Sequence, residues 1–146
     1  MRLTANVAGY SGTPLPQKLG IGEGARLALV RAPDGFADLL QPLLPRGVRV
    51  CSRLSGVLDV VLFFVTRRSE LERRFSPMAR ALEPAGGLWI AWPKKTAGVA
   101  TDLTENVVRA IGLDKGLVDN KVCAVDEVWS GLRFVYRLAD RPARQR

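Results

Sequence analysis

The chain has 146 residues, of which 47% are hydrophobic and 25% charged, enough apolar material for one packed domain and too much for a disordered chain. It contains no histidine, which excludes Ser-His-Asp and Cys-His catalysis, imidazole-ligated zinc or haem, and a histidine pH switch. Twenty-two Lys and Arg against 14 Asp and Glu give a net charge of +8, a balance that favours polyanions, nucleotides or anionic surfaces without assigning one.

The opening stretch Gly9-Tyr10-Ser11-Gly12-Thr13-Pro14-Leu15-Pro16-Gln17-Lys18-Leu19-Gly20 has turn formers at many positions and no sustained period. Residues 1–20 are therefore expected to form an ordered loop, or a short helical turn, packed on a sheet. Arg26-Leu27-Ala28-Leu29-Val30 is a short apolar run between glycines and Ala32-Pro33-Asp34-Gly35, which predicts a buried strand ending in a sharp turn. Phe36, Leu39, Leu40, Leu43 and Leu44 recur at helical spacing and predict an amphipathic helix stopped by Pro45. Val48-Arg49-Val50-Cys51 reads as a brief strand. Residues 57–66 are a nearly continuous β-branched and aromatic run, the pattern of a central parallel strand covered on both faces.

Ser69-Glu70-Leu71-Glu72 matches a capping box, followed by an apolar stripe of Leu71, Phe75, Met78 and Leu82. Pro77 predicts a break and restart within that helix. Pro84-Ala85-Gly86-Gly87 reads as a turn into the strand Leu88-Trp89-Ile90-Ala91-Trp92, with Pro93-Lys94-Lys95 after it. Asp102-Leu103-Thr104-Glu105 is a second capping box, opening a helix through Val107, Val108 and Ile111 that closes at Gly112. Residues 122–128 and 132–138 flank Trp129-Ser130-Gly131 as an antiparallel hairpin, with Leu132, Phe134, Tyr136 and Leu138 on one face.

Alternating strands and helices with a terminal hairpin define an α/β class with a mainly parallel sheet. Residues 1–138 are expected as one domain and residues 139–146 as a basic disordered tail. Cys51 and Cys123 lack a CxxC or metal-ligand pattern and are expected as small buried residues without a disulfide. The longest apolar run, Val60-Val61-Leu62-Phe63-Phe64-Val65, is too short for a bilayer and the first residues have no apolar signal region, so a cytoplasmic protein without a membrane partner is expected.

Three segments resemble the Rossmann-like fold of S-adenosylmethionine-dependent methyltransferases: Leu19-Gly20-Ile21-Gly22-Glu23-Gly24-Ala25-Arg26-Leu27, Leu58-Asp59-Val60-Val61-Leu62 and Leu82-Glu83-Pro84-Ala85-Gly86-Gly87-Leu88-Trp89-Ile90. The chain is also similar to a family of small bacterial proteins, common in actinobacteria, catalogued as a domain of unknown function. That resemblance rests on Gly9-Tyr10-Ser11-Gly12-Thr13-Pro14-Leu15, Trp89-Ile90-Ala91-Trp92-Pro93-Lys94-Lys95, Asp102-Leu103-Thr104-Glu105, Lys121-Val122-Cys123-Ala124-Val125-Asp126 and Trp129-Ser130-Gly131-Leu132-Arg133-Phe134-Val135. The methyltransferase resemblance implies a reduced Rossmann-like domain, short of one strand-helix unit. It also implies a glycine-rich turn after the first strand, where this chain has Val30-Arg31-Ala32-Pro33-Asp34-Gly35, and a ribose-binding carboxylate after the second, where it has Cys51-Ser52-Arg53.

Ligands of open α/β sheets bind beyond the carboxyl ends of the strands. Lys94 and Lys95 beside Trp92, with Asp34 facing them across that edge, are candidate residues for a phosphate or carboxylate ligand. Ser11, Thr13 and Lys18 join them as hydroxyls and a cation on a loop with free backbone N–H groups. The alternative for Asp34 is a helix cap, and for Trp129 a packing role. No acid-base dyad, catalytic residue, metal site or cofactor is predicted. The departures from the methyltransferase pattern predict a non-catalytic domain that binds a small anionic ligand or a protein partner. The alternatives are a divergent methyltransferase and, from the charge of +8 and the clusters Arg67-Arg68 and Arg73-Arg74, a nucleic-acid-associated regulator.

Overall fold

A computed structural model describes residues 12–141. The chain folds as a mixed α/β structure in the order α1 (Leu15–Leu19), β1 (Arg26–Val30), α2 (Phe36–Leu40), β2 (Arg49–Cys51), β3 (Leu58–Phe64), α3 (Arg68–Arg80), β4 (Leu82–Pro93), α4 (Glu105–Asp114), β5 (Val118–Ala124) and β6 (Trp129–Val135). The six strands form one sheet in the order β2-β1-β3-β4-β6-β5. Strands β2, β1, β3 and β4 are parallel, and β6 and β5 close the sheet in antiparallel fashion.

The period of two along β3 divides the core. Val61 and Phe63 face α3 and α4, where they meet Leu71, Phe75, Met78, Val108 and Ile111. Val60, Leu62 and Phe64 face the other layer, with Leu19 of α1 and Phe36 and Leu40 of α2. A strand buried on both faces needs the uninterrupted apolar run seen in the sequence. Trp89, wholly buried, satisfies its indole by donating from Nε1 to the Leu19 carbonyl at 2.9 Å, which pins α1 to the sheet and avoids an unpaired polar group in the core.

Residues 52–57 carry the chain from β2 past β1 to β3 with no helix, and Leu54 packs on the α3 side. The sheet is therefore short of one helical crossover beyond β1, as expected. Strand β2 has only three residues and forms one edge.

Several expectations are corrected. Helix α3 runs unbroken through Pro77; Phe75, two residues before it, and Met78, next after it, are fully buried, and their packing outweighs the loss of one backbone hydrogen bond. Ser69 lies inside α3 and caps nothing; the N-cap position is Arg67, with no side-chain cap of its own. Helix α4 begins after Thr104, whose Oγ1 accepts the Val107 N–H at 3.2 Å, so Thr104 and not Asp102 is its cap. Gly112 does not end α4, which continues to Asp114; the backbone turns at Gly116, φ 97°.

The predicted turn at residues 84–87 lies within β4. Leu58 pairs with Leu82 and Val60 with Gly87, so Asp59 alone faces the bulge Glu83-Pro84-Ala85-Gly86. Trp129-Ser130-Gly131 lies in β6 and not in the hairpin turn, where Asp126 Oδ1 accepts the N–H groups of Val128 and Trp129, both at 2.8 Å. Leu39 and Leu43 do not share the buried face of α2: Leu39 is 76% exposed within the helix, whose buried residues are Phe36 and Leu40, and Leu43 is 56% exposed in the 3-10 turn Gln41–Leu43 that follows. Leu138 is likewise exposed, in a 3-10 turn at Leu138–Asp140; residues 142–146 of the expected tail lie outside the described residues. Cys51 and Cys123 are free thiols, each half-buried and not fully enclosed. Among the described residues no helix is long and apolar enough to cross a membrane.

Candidate functional site

The carboxyl ends of β1, β3 and β4 meet where the chain order reverses about β1, the place where open α/β sheets form a crevice. The turn after β1 is built from two left-handed residues, Arg31 (φ 62°) and Gly35 (φ 83°), and Arg31 is the one non-glycine residue with positive φ among those described. An L-residue there costs roughly 1–2 kcal/mol. Arg31 Nη2 lies 3.6 Å from Glu70 Oε1, and Glu70 Oε2 accepts from Arg74 Nη1 at 3.2 Å. Arg74 in turn sits 5.1 Å above the Phe63 ring centroid. Glu70, with a side chain only 14% exposed, thus bridges two guanidiniums at the crevice rim.

Behind this edge the core of the α1–α2 layer holds a file of three rings. Phe36 opens α2, Phe64 ends β3 and Trp129 begins β6; their centroids are 4.9 Å and 5.1 Å apart, each pair edge to face. Trp129 is thus a packing residue, with Ala32 of the β1 turn against the same cluster. On the other layer, the Thr66 carbonyl accepts the Thr101 hydroxyl at 2.6 Å and Asp102 Oδ1 accepts the Arg68 N–H at 2.7 Å. A cavity of about 220 Å³ lies there, lined by Thr66, Arg67, Ala100, Thr101 and Asp102.

Asp34, Lys94 and Lys95 all follow carboxyl ends of strands. Asp34 is exposed in the β1 turn; the N-cap of α2 is Gly35, and no side chain caps that helix. Lys94 is half-buried and its backbone N–H donates to the Val128 carbonyl at 2.8 Å, while Lys95 is exposed. Strand β3 separates Asp34 from Lys94, a gap of about 10 Å from strand spacing. Among the described residues no ion pair joins them. Lys18 is spent elsewhere: Nζ donates to the Ala124 carbonyl and Lys121 Nζ donates to the Lys18 carbonyl, both at 2.9 Å, which fastens α1 to β5. Thr13 is half-buried ahead of α1, and Ser11 lies outside the described residues. Sequence reasoning missed Arg31, Glu70 and Arg74. Its one available signal was an arginine where a sharp post-strand turn favours glycine.

By sequence the chain matches no family model and no curated protein. By structure it is similar to an S-adenosylmethionine-dependent methyltransferase from Aquifex aeolicus, with a TM-score of 0.57 and 17% identity over 81% of this chain and 85% of that one. It is also similar to a protein from Sulfolobus solfataricus assigned as a type 11 methyltransferase, with a TM-score of 0.61 and 13% identity over 90% and 95%. A third is the magnesium protoporphyrin IX methyltransferase of Synechocystis, solved with bound S-adenosylmethionine, with a TM-score of 0.54 and 12% identity over 84% and 74%. These likenesses establish a methyltransferase-like Rossmann fold.

Proposed function

We propose that this chain is a divergent S-adenosylmethionine-dependent methyltransferase whose crevice lies between the turn after β1 and the ends of β3 and β4. The observation that carries this reading is the left-handed pair Arg31 and Gly35: the turn keeps a backbone path suited to glycine, although only one of the two residues is glycine. When bound, the sulfonium supplies an activated methyl group. The chain's own residues position it, with Arg31 the cation for the ligand's carboxylate once it exchanges Glu70 for that partner.

A second reading, a non-catalytic anion-binding domain, is favoured by the basic residues at the same edge, Arg31, Arg53, Lys94 and Lys95, and by the absence of an acid in Cys51-Ser52-Arg53. Thermal unfolding with S-adenosylhomocysteine, S-adenosylmethionine and simple anions separates the two. Ligand at about a hundred times its Kd adds about 2.7 kcal/mol. The methyltransferase reading expects a shift with both adenosyl compounds that Arg31→Glu removes. A shift with anions alone selects the second reading.

A further inference from the structure

A second cavity, of about 510 Å³, opens at the opposite edge of the sheet, among the amino ends of β1, β3 and β4. Its lip is the bulge of β4. Gly86 has no room for a side chain there, since a Cβ would lie 2.8 Å from the Asp59 carbonyl oxygen. Arg26, the first residue of β1, is held by both acids of the lining: its backbone N–H donates to Asp59 Oδ2 at 2.8 Å and its Nη2 to Glu83 Oε2 at 3.1 Å. Arg133 and Arg141 complete the wall.

Arg133 is the anomaly. It enters from β6 and lies flat across Gly87, where any Cβ would collide with its Nε. Its Nε is buried with no acceptor, and among the described residues its Nη1 donates to the neutral Asn120 Oδ1 at 3.4 Å. Burial lowers its pKa from the ordinary arginine value. A half-buried guanidinium on the wall of a cavity, with no carboxylate within ion-pair distance among the described residues, is a site suited to an external anion. Arg141, exposed on the same wall, adds a second fork. The Asp59 carboxylate, 40% exposed, can accept hydrogen bonds from hydroxyl groups beside that anion.

We infer that this cavity binds a small phosphate monoester bearing hydroxyl groups, with its phosphate between Arg133 and Arg141 and its hydroxyls toward Asp59. The site is separate from the crevice at the carboxyl edge and stands whether or not adenosyl compounds bind there.

Calorimetric titration of the full chain with ribose 5-phosphate, inorganic phosphate, ribose and acetate, at matched ionic strength, tests it. Ribose 5-phosphate is expected to bind tightest, inorganic phosphate more weakly, and ribose and acetate without saturation. Arg133→Gln is expected to weaken ribose 5-phosphate about tenfold, the effect of losing a charge-assisted hydrogen bond. Arg141→Ala, at an exposed position that leaves the fold intact, is expected to weaken it about threefold. S-adenosylhomocysteine has no phosphate and should leave the titration unchanged. The inference is overturned by a lack of saturable phosphate binding at millimolar concentration, by Arg141→Ala and Arg133→Gln binding as the parent does, or by competition from S-adenosylhomocysteine.

Discussion

Asp102 accepts the backbone N–H of Arg68 at 2.7 Å, so the first turn of α3 is capped by a residue 34 positions later in the chain. The neighbouring Thr101 hydroxyl holds the Thr66 carbonyl at 2.6 Å. Together they lace the loop after β4 to the end of β3, beside the crevice. Asp102→Ala is expected to cost about 1 kcal/mol, the usual value of an N-cap, and to lower Tm by about 3 °C. Asp102→Asn keeps an acceptor and should retain most of that stability. Equal losses for the two variants in calorimetric melts would show that the cap is not the source.

Arg31 stores strain that a glycine would not. Replacing it with glycine removes a left-handed cost of roughly 1–2 kcal/mol and gives up a partly exposed ion pair worth at most about 1 kcal/mol, together with some unfolded-state entropy. Urea unfolding should therefore place Arg31→Gly within about 1 kcal/mol of the parent. Arg31→Val, β-branched at the same φ, should be less stable than Arg31→Gly by about 2 kcal/mol. The reverse order would mean that the turn relaxes out of its left-handed conformation.

Gly112 sits in α4 directly against Phe134: a Cβ there would collide with the ring edge. Phe134 is fully buried and stands edge to face with Phe75 at 5.3 Å, so a shift of its ring disturbs the core beyond it. Helix propensity alone favours alanine by about 1 kcal/mol; overpacking outweighs it, and Gly112→Ala should lower stability by about 1–3 kcal/mol. Adding Phe134→Leu should recover part of that loss. A double-mutant cycle with no coupling would contradict the collision.

Burial pushes the Cys123 thiol above its ordinary pKa, and Lys18 and Lys121 pull it back only in part. The folded state thus holds a proton that the unfolded state releases. This term is fully present below the unfolded value of about 8.5 and is lost as pH rises through the folded value. In a Cys51→Ser variant, the rate of alkylation by iodoacetamide should inflect at higher pH for the native protein than for the same chain in urea. Coincident profiles would place Cys123 in solvent.

Much of the fold was legible because it is written in local patterns. The unbroken run of β3 required two covered faces, and the spacing of Val107, Val108 and Ile111 marked the helix α4, though its cap is Thr104 and not the Asp102 of the expected box. The misses share a physical reason. Pro77 and Gly112 look like helix breakers only until Phe75, Met78 and Phe134 close on them, and the hairpin turn slid because Asp126 takes two N–H groups that no periodicity reports. For the site, chain order alone put Asp34, Lys94 and Lys95 at one edge of the sheet. The contact between Arg31 and Glu70 joins a turn to a helix on another crossover, and such pairs depend on register that one sequence does not display.

The passage from β2 to β3 without a helix has a mechanical consequence. Strand β1, which carries the crevice turn, has the long strand β3 on one side and a three-residue edge on the other. One wall of the crevice is thereby anchored in the middle of the sheet, while the other ends in a corner where Leu39 and Leu43 contribute little burial. Opening of that corner requires the loss of few contacts, so its amides should exchange with solvent well before those of β3 and β4. A ligand clasped at the turn after β1 would be felt there first, as a gain of rigidity at the flank of the molecule.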